Sequence, residues 1–225
     1  MDAKRLVLVH TVSPLLDVFD KLGAELLPGV QLMHVLDEPL LERVRQRGQL
    51  APEDSARLHT HVAVAEGTGA DAVLVTCSTI SPCVDDVRPA ANIPVIKIDE
   101  AMVAEAVARG AKIGVVATNV TTLEPTRLLL EAQANAAAKV IEVKLVLVEN
   151  ALPALLNGDG ATHDNLVSEA VLEMADQTDV VVLAQASMAR VLNVIPEAER
   201  PAPILSSPHL ALEQARELLK LDAHW

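Results

Sequence analysis

The segment Asp71-Ala-Val-Leu-Val-Thr-Cys-Ser-Thr79 places one thiol, Cys77, directly after a short apolar run and beside Ser78, Thr79 and Ser81-Pro82. A thiol at a strand end, next to hydroxyls and a helix start, is where a lowered pKa is expected. Its thiolate is then suited to general-base or nucleophilic work. A lone cysteine is also an ordinary small core residue. The flanking hydroxyls and the strand-end address are what favour chemistry here, since ligands of open α/β sheets bind at the carboxyl ends of strands. Cys83 follows within the next segment and reads as structural, a small buried residue on a helix.

The chain repeats itself faintly, and the repeat isolates this thiol. Asp71–Thr79 lines up with Asp179-Val-Val-Val-Leu-Ala-Gln-Ala-Ser187. Upstream, Arg5-Leu-Val-Leu-Val-His-Thr-Val-Ser13 lines up with Lys112-Ile-Gly-Val-Val-Ala-Thr-Asn-Val120. Downstream, Pro94-Val-Ile-Lys-Ile-Asp99 lines up with Pro203-Ile-Leu-Ser-Ser-Pro208. The offsets are 107, 108 and 109 (112−5, 179−71 and 203−94). Where one half carries Cys77 the other carries Gln185, and an amide neither gives nor takes a proton near neutral pH.

The elements that must hold these residues alternate. Strands are expected at Arg5–His10, Val30–Leu36, Ala72–Thr76, Val95–Ile98, Lys112–Ala117, Lys139–Val148, Val180–Leu183 and Ile204–Leu205. Helices are expected at Pro14–Leu27, Pro52–Gly67, Pro82–Ala90, Glu100–Arg109, Thr122–Ala137, Asp164–Asp176 and Pro208–Leu219. Strands that are apolar throughout, separated by helices, indicate parallel sheet covered on both faces. The expected fold is therefore α/β: two pseudo-symmetric four-stranded parallel-sheet domains flanked by helices, with the active site in the cleft between them. The first domain takes residues 1–98 and 208–225, the second 99–207. Ser13-Pro14, Ser81-Pro82 and Ser207-Pro208 each follow a strand, and each reads as a serine cap with proline at the first helical position.

Composition narrows the partners. The chain has 225 residues, 51% of them hydrophobic, a formal net charge of −13 and two cysteines. Disorder is excluded for the whole, and the apolar runs are far short of a membrane span. Duplex nucleic acid and anionic membranes are repelled by such a field, and 1% aromatic residues leave no stacking platform for bases. Two cysteines make no disulfide framework, and the start at Met1 leads straight into a strand pattern, so a reducing, cytoplasmic setting with no signal peptide is expected. No Gly-x-Gly-x-x-Gly or Gly-x-x-x-x-Gly-Lys-Ser/Thr is present to hold a nucleotide. His59-Thr60-His61 invites a metal reading, but residues two apart on a helix do not share a face. His10 ends the first strand within reach of a cleft, His34 reads as packed in the second strand, and His163 as capping or solvated before a helix. Asp85 and Asp86 suit a first helical turn, while Asp37 and Glu38 are candidates for a cleft rim.

With two α/β halves and Leu74-Val-Thr-Cys-Ser-Thr79 on the page, the chain resembles the aspartate/glutamate racemase superfamily, which includes hydantoin racemases, maleate isomerase and arylmalonate decarboxylase. The resemblance covers nearly the whole chain, and Cys77-Ser-Thr79 is similar to the family's first-cysteine motif, usually Cys-Asn-Thr. The resemblance implies a small carboxylic acid as substrate, no metal, no organic cofactor and a homodimer. It also implies that Ser78 and Thr79 grip a carboxylate, that Thr118 and Asn119 serve the other end of the substrate, and that Thr11 and Ser13 lie in a substrate-contacting loop. The family's second motif, like Gly-Cys-Thr, is replaced by Ala184-Gln-Ala-Ser187, which puts Gln185 where a second thiol acts and Ser187 just after it. Three readings stay open. One is a racemase-like enzyme working at the carbon alpha to a carboxylate with Cys77 as acid/base or nucleophile. The second is a single-cysteine decarboxylase or lyase of the same superfamily. The third is a non-catalytic small-acid-binding protein.

Overall fold

A computed structural model of the chain describes residues 3–221; residues 222–225, at the end of the expected first domain, lie outside the described part. The chain divides into two compact units. One runs to Ile98 and resumes at Pro208; the other is Asp99–Ser207.

The first unit is built from β1 (Arg5–His10), α1 (Leu15–Leu26), β2 (Gln31–Leu36), α2 (Glu38–Arg47), α3 (Pro52–Gly67), β3 (Ala72–Val75), α4 (Cys83–Val87) and β4 (Val95–Lys97). Its sheet is parallel in the order β2-β1-β3-β4. β1 and β3 are the interior strands, and their Val/Leu runs are buried on both faces, as central parallel strands require. Alternation sends Val7, Val9, Val73 and Val75 to one face, against Leu40 and Val44 of α2, Leu58 and Val62 of α3, and Val84 and Val87 of α4. The other face takes α1. Its Gly23 lies so close to the sheet that an added Cβ would stand 2.2 Å from Leu32 Cδ1, and its Phe19 is fully buried.

The second unit repeats the plan with α5 (Glu100–Arg109), β5 (Lys112–Ala117), α6 (Val120–Ala136), β6 (Glu142–Leu147), α7 (Ala151–Leu156), α8 (Gly160–Ala175), β7 (Val180–Leu183) and β8 (Ile204–Ser206). The sheet order is β6-β5-β7-β8, the same as in the first unit. α9 (Ser207–Leu218) then returns the chain to the first unit. The repeat extends to a shared fastening. Asp71 Oδ2 accepts from Arg5 N at 2.9 Å, and Asp179 Oδ2 accepts from Ala111 N and Lys112 N at 2.9 and 2.8 Å. Each carboxylate ties the start of a central strand to the residue entering its neighbour.

Several boundaries differ from the sequence expectation for local reasons. The strand expected at Lys139–Val148 begins only at Glu142. Ala138 takes φ 51°, and Lys139 N bonds back to Ala134 O, so residues 137–141 turn instead of extending. α2 was not anticipated, because its surface carries Glu38, Glu42, Arg43, Arg45 and Arg47 and only Leu40 and Val44 reach the core. α1 and α4 start at Leu15 and Cys83, one residue later than expected. Pro14 and Pro82 therefore occupy the cap positions instead of the first helical ones, and Ser13 is exposed.

At the carboxyl end of the first sheet, a chain of polar side chains fastens β1, β2, β3 and α1 together. Thr76 Oγ1 lies 2.8 Å from His10 Nδ1, His10 Nε2 lies 2.9 Å from His34 Nδ1, and His34 Nε2 lies 3.0 Å from Asp20 Oδ1. The two imidazoles stack at 5.1 Å, and Phe19 covers His10 at 5.6 Å. His10 is fully buried and turned into this chain, so it does not reach solvent as its strand-end position suggested. Burial, and then the neighbouring His34, lower the His10 pKa to about 4 against the weaker opposing pull of Asp20. The unfolded chain therefore takes up this proton first. Stability contributed by the neutral ring is complete above about pH 6.5 and is lost as pH falls toward 4, a total on the order of 3 kcal/mol. Urea unfolding between pH 4 and 8 should show this loss in the wild type, and His10→Asn should remove that part of the slope.

Candidate active site

Cys77 sits two residues past β3. Thr76 N donates to Val9 O at 3.0 Å and makes the last rung of the ladder, after which the chain leaves the sheet. It then coils through i→i+3 bonds, Ile80 N to Cys77 O, Ser81 N to Ser78 O and Cys83 N to Ile80 O, before α4 begins. The thiol is thus six residues ahead of a five-residue helix, not at its first turn. This removes the reason for a lowered pKa. Cys77 keeps some exposed surface, but its sulfur is packed against the α2–α3–α4 side of the sheet. Burial pushes the thiol up, against the lowering effect of the Thr11 hydroxyl, the Ile80 and Thr79 backbone N–H groups and the Thr79 hydroxyl. The resting group is a neutral thiol surrounded by donors that only a thiolate would use fully.

Thr11 is the clearest of these donors. It is 2% exposed, and the group its hydroxyl faces is the Cys77 sulfur, with no full hydrogen bond closed to it. A buried hydroxyl without a partner costs about 1–3 kcal/mol. The cost is relieved when the sulfur ionises or a ligand oxygen arrives. Ser78 and Thr79 are also buried, beside the thiol. The structure thus gathers Thr11, Cys77, Ser78 and Thr79, while Ser13 stands apart on the surface before α1. Cys83 is buried at 2% exposure. Burial raises its pKa too, helped by the Asp54 and Asp86 carboxylates against the Ser55 hydroxyl, which leaves it a core thiol.

The same pair of positions recurs in the second unit with the opposite outcome. Offsets of 107 and 108 carry Thr11 onto Thr118 and Cys77 onto Gln185. Gln185 Oε1 accepts from Thr118 N at 2.9 Å, and its Nε2 donates to Thr118 Oγ1 at 3.1 Å. Where the first unit keeps a hydroxyl waiting beside a thiol, the second has closed hydroxyl and amide on one another. Gln185 is therefore a staple between the ends of β5 and β7. Asn119 caps α6, its Oδ1 accepting from Thr121 N at 3.3 Å. Ser187 is half-buried in the 3-10 helix Ala186–Asn193 that follows Gln185.

Other candidates find structural partners. Asp37 is the N-cap of α2 and is 3% exposed. Burial pushes its carboxyl up, but hydrogen bonds from Arg57 and His61 hold it below the usual carboxylate range. His61 is thereby committed to Asp37 at 2.6 Å, and among the described residues no group of His, Cys, Asp and Glu is placed to hold a metal ion. His163 lies inside α8, not before it, because Asp159 caps that helix through Thr162 N. It is fully buried, with Nδ1 2.8 Å from Asp164, and Arg190 holds Asp164 from the 3-10 helix. Lys97 was overlooked: it is 5% exposed on β4, level with Val75, and its Nζ donates to Asp85 at 2.7 Å. A lysine inside the apolar run Pro94–Ile98 was the signal that would have found it.

With this geometry in place, the comparisons are specific. The chain matches the Asp/Glu/Hydantoin racemase family description over residues 15–215. No curated protein sequence matches it. Among solved structures it is similar to the glutamate racemase isoform RacE1 from Bacillus anthracis, with a TM-score of 0.72, 17% identity, and coverage of 98% of this chain and 83% of that one. It is similar to allantoin racemase from Klebsiella pneumoniae, with a TM-score of 0.72, 18% identity, and coverage of 97% and 88%. It is also similar to arylmalonate decarboxylase, with a TM-score of 0.64, 18% identity, and coverage of 97% and 94%. At these identities the structures speak for the fold, and the match over residues 15–215 speaks for descent: the chain belongs to the Asp/Glu/Hydantoin racemase family.

Proposed function

We propose that the protein is a cofactor-independent enzyme acting at the carbon alpha to the carboxylate of a small acid, with the Cys77 thiol as the acid/base group. The observation that carries this reading is the Thr11–Cys77 pair, a neutral thiol beside a buried hydroxyl that has nothing else to bond. When a carbanion or enediolate forms at the α-carbon, the thiol proton passes to carbon. The sulfur becomes a thiolate, and Thr11, Thr79 N–H and Ile80 N–H stabilise it. In the reverse sense the desolvated thiolate is a strong base that removes the α-proton. The Ser78 hydroxyl and backbone N–H, with the Thr79 hydroxyl, serve the substrate carboxylate, giving an anion neutral donors in a chain of net charge −13.

A second reading follows from Gln185. Racemisation needs one group on each face of the α-carbon, and the amide paired to Thr118 is no acid or base. Decarboxylation of an acid with two carboxylates on one carbon needs one proton donor: the C–C bond to one carboxylate breaks, its electron pair is delocalised into the remaining carboxylate as an enediolate, carbon dioxide leaves, and Cys77 protonates the carbon. Solvent then restores the thiol.

Four measurements test these readings. Alkylation of Cys77 by iodoacetamide should rise with pH along an ionisation above about 8.5, the ordinary cysteine value, and small dicarboxylates should slow it. Cys77→Ala should lower turnover by about 10²–10⁴-fold; full retained turnover would sink the mechanism. In D2O, loss of optical activity with deuterium entering the α-position indicates racemisation, whereas carbon dioxide release indicates the one-thiol lyase. Binding with neither, and a Cys77 of ordinary reactivity, indicates a binding protein. Gln185→Leu should destabilise the fold by about 1–3 kcal/mol, because it strands the Thr118 N–H and hydroxyl; unchanged urea unfolding would show that the amide is not a staple.

A further inference from the structure

The register of the first sheet couples the buried histidine to the reactive pair. Val9 is level with Val75, Thr76 lies beside His10 at the last rung, and Thr11 and Cys77 follow where both strands have ended, with the Thr11 hydroxyl against the thiol. Side chains alternate along each strand. His10 and Thr76 therefore meet on the α1 face at 2.8 Å, while Thr11 and Cys77 meet on the face of Val9 and Val75. The two contacts are one residue apart along each chain segment, at and just past the end of the same two strands.

The polar chain behind His10 has a defined direction. The Asp20 carboxylate can only accept, so His34 Nε2 donates to it. In the neutral pair His34 Nδ1 then accepts from His10 Nε2–H, and His10 Nδ1 accepts from the Thr76 hydroxyl. One proton added to His10 keeps the chain closed: His10 Nε2–H still donates to His34 Nδ1, His10 Nδ1–H now donates to Thr76 Oγ1, and the Thr76 proton turns to Val9 O, 3.1 Å away. Every group keeps a partner in both arrangements. The titratable groups facing His10 are His34 from β2 and Asp20 from α1. β3 presents only the Thr76 hydroxyl, and Phe19 of α1 is uncharged.

We propose that His10 is a positioning residue for Cys77: by holding Thr76 on one face of the sheet it sets the approach of the Thr11 hydroxyl to the thiol on the other, and a proton taken up along Asp20, His34 and His10 changes that setting. The proposal rests on Cys77 being the reacting group, yet its test reads the thiol itself. If Cys77→Ala retained turnover, the functional reading would fail while the coupling was still decided by alkylation rates.

The measurement is the iodoacetamide alkylation rate of Cys77 from pH 4.5 to 9.5 in a Cys83→Ala background. At pH 8, His10→Ala should slow alkylation about fivefold, the equivalent of one hydrogen bond of about 1 kcal/mol to the thiolate. Thr11→Val should slow it equally, and the double variant no further. His10→Asn, which offers an amide oxygen in place of Nδ1, should restore the pH 8 rate. In the wild type the acid limb should lie above the line for a single ionisation, because the added cation favours the nearby thiolate. His10→Asn should abolish that departure, and Asp20→Asn, at an exposed position, should shift it. Multiplicative losses in the double variant, or a wild-type profile in His10→Ala, would overturn the proposal. Should His10→Ala fail to fold, the acid limbs of His10→Asn and Asp20→Asn decide: persistence of the wild-type departure in both overturns it.

Discussion

The parallel pairing of β1 with β3 is the constraint from which the surroundings of Cys77 and His10 follow. Both strands are buried on both faces, so their register is held by packing above and below the sheet as well as by the ladder. A slip of one residue would send Val7, Val9, Val73 and Val75 to the wrong face. It would also separate Thr11 from Cys77 and His10 from Thr76. The thiol's environment is thus a product of sheet register more than of the loop that follows it.

Duplication explains why the second unit is built alike and behaves differently. Strand order, the aspartate that ties the start of each central strand, and the threonine at the end of β1 or β5 are all repeated. What changes is the residue opposite that threonine. A thiol leaves the Thr11 hydroxyl unsatisfied; an amide satisfies Thr118 twice. The first arrangement leaves a buried donor open beside the thiol, whereas the second has its groups closed on one another at the ends of β5 and β7.

Buried polar groups elsewhere follow the rule that charge below the surface is paired. Asp37 is held by Arg57 and His61, and Lys97 by Asp85. The His10–His34–Asp20 chain differs because it can be satisfied in two directions, and because its inner end is one residue from both Thr11 and Cys77.

Strand and helix alternation, the twofold repeat, the parallel sheets and the thiol's address were legible in the sequence, since each depends on local pattern: unbroken Val/Leu runs, helical spacing, and a constant offset. Resemblance to the racemases was legible for the same reason, through Cys77-Ser-Thr79 and its counterpart around Gln185. α2 and the late start of α1 and α4 were not, because a charged helix shows little periodicity and Ser-Pro fits a turn as well as a cap. The raised pKa of Cys77, the unpartnered Thr11, the closed Gln185–Thr118 pair and the histidine chain were decided by tertiary structure alone. Each joins residues 14 to 67 positions apart, and desolvation and hydrogen-bond partnership belong to where side chains meet, not to their order along the chain.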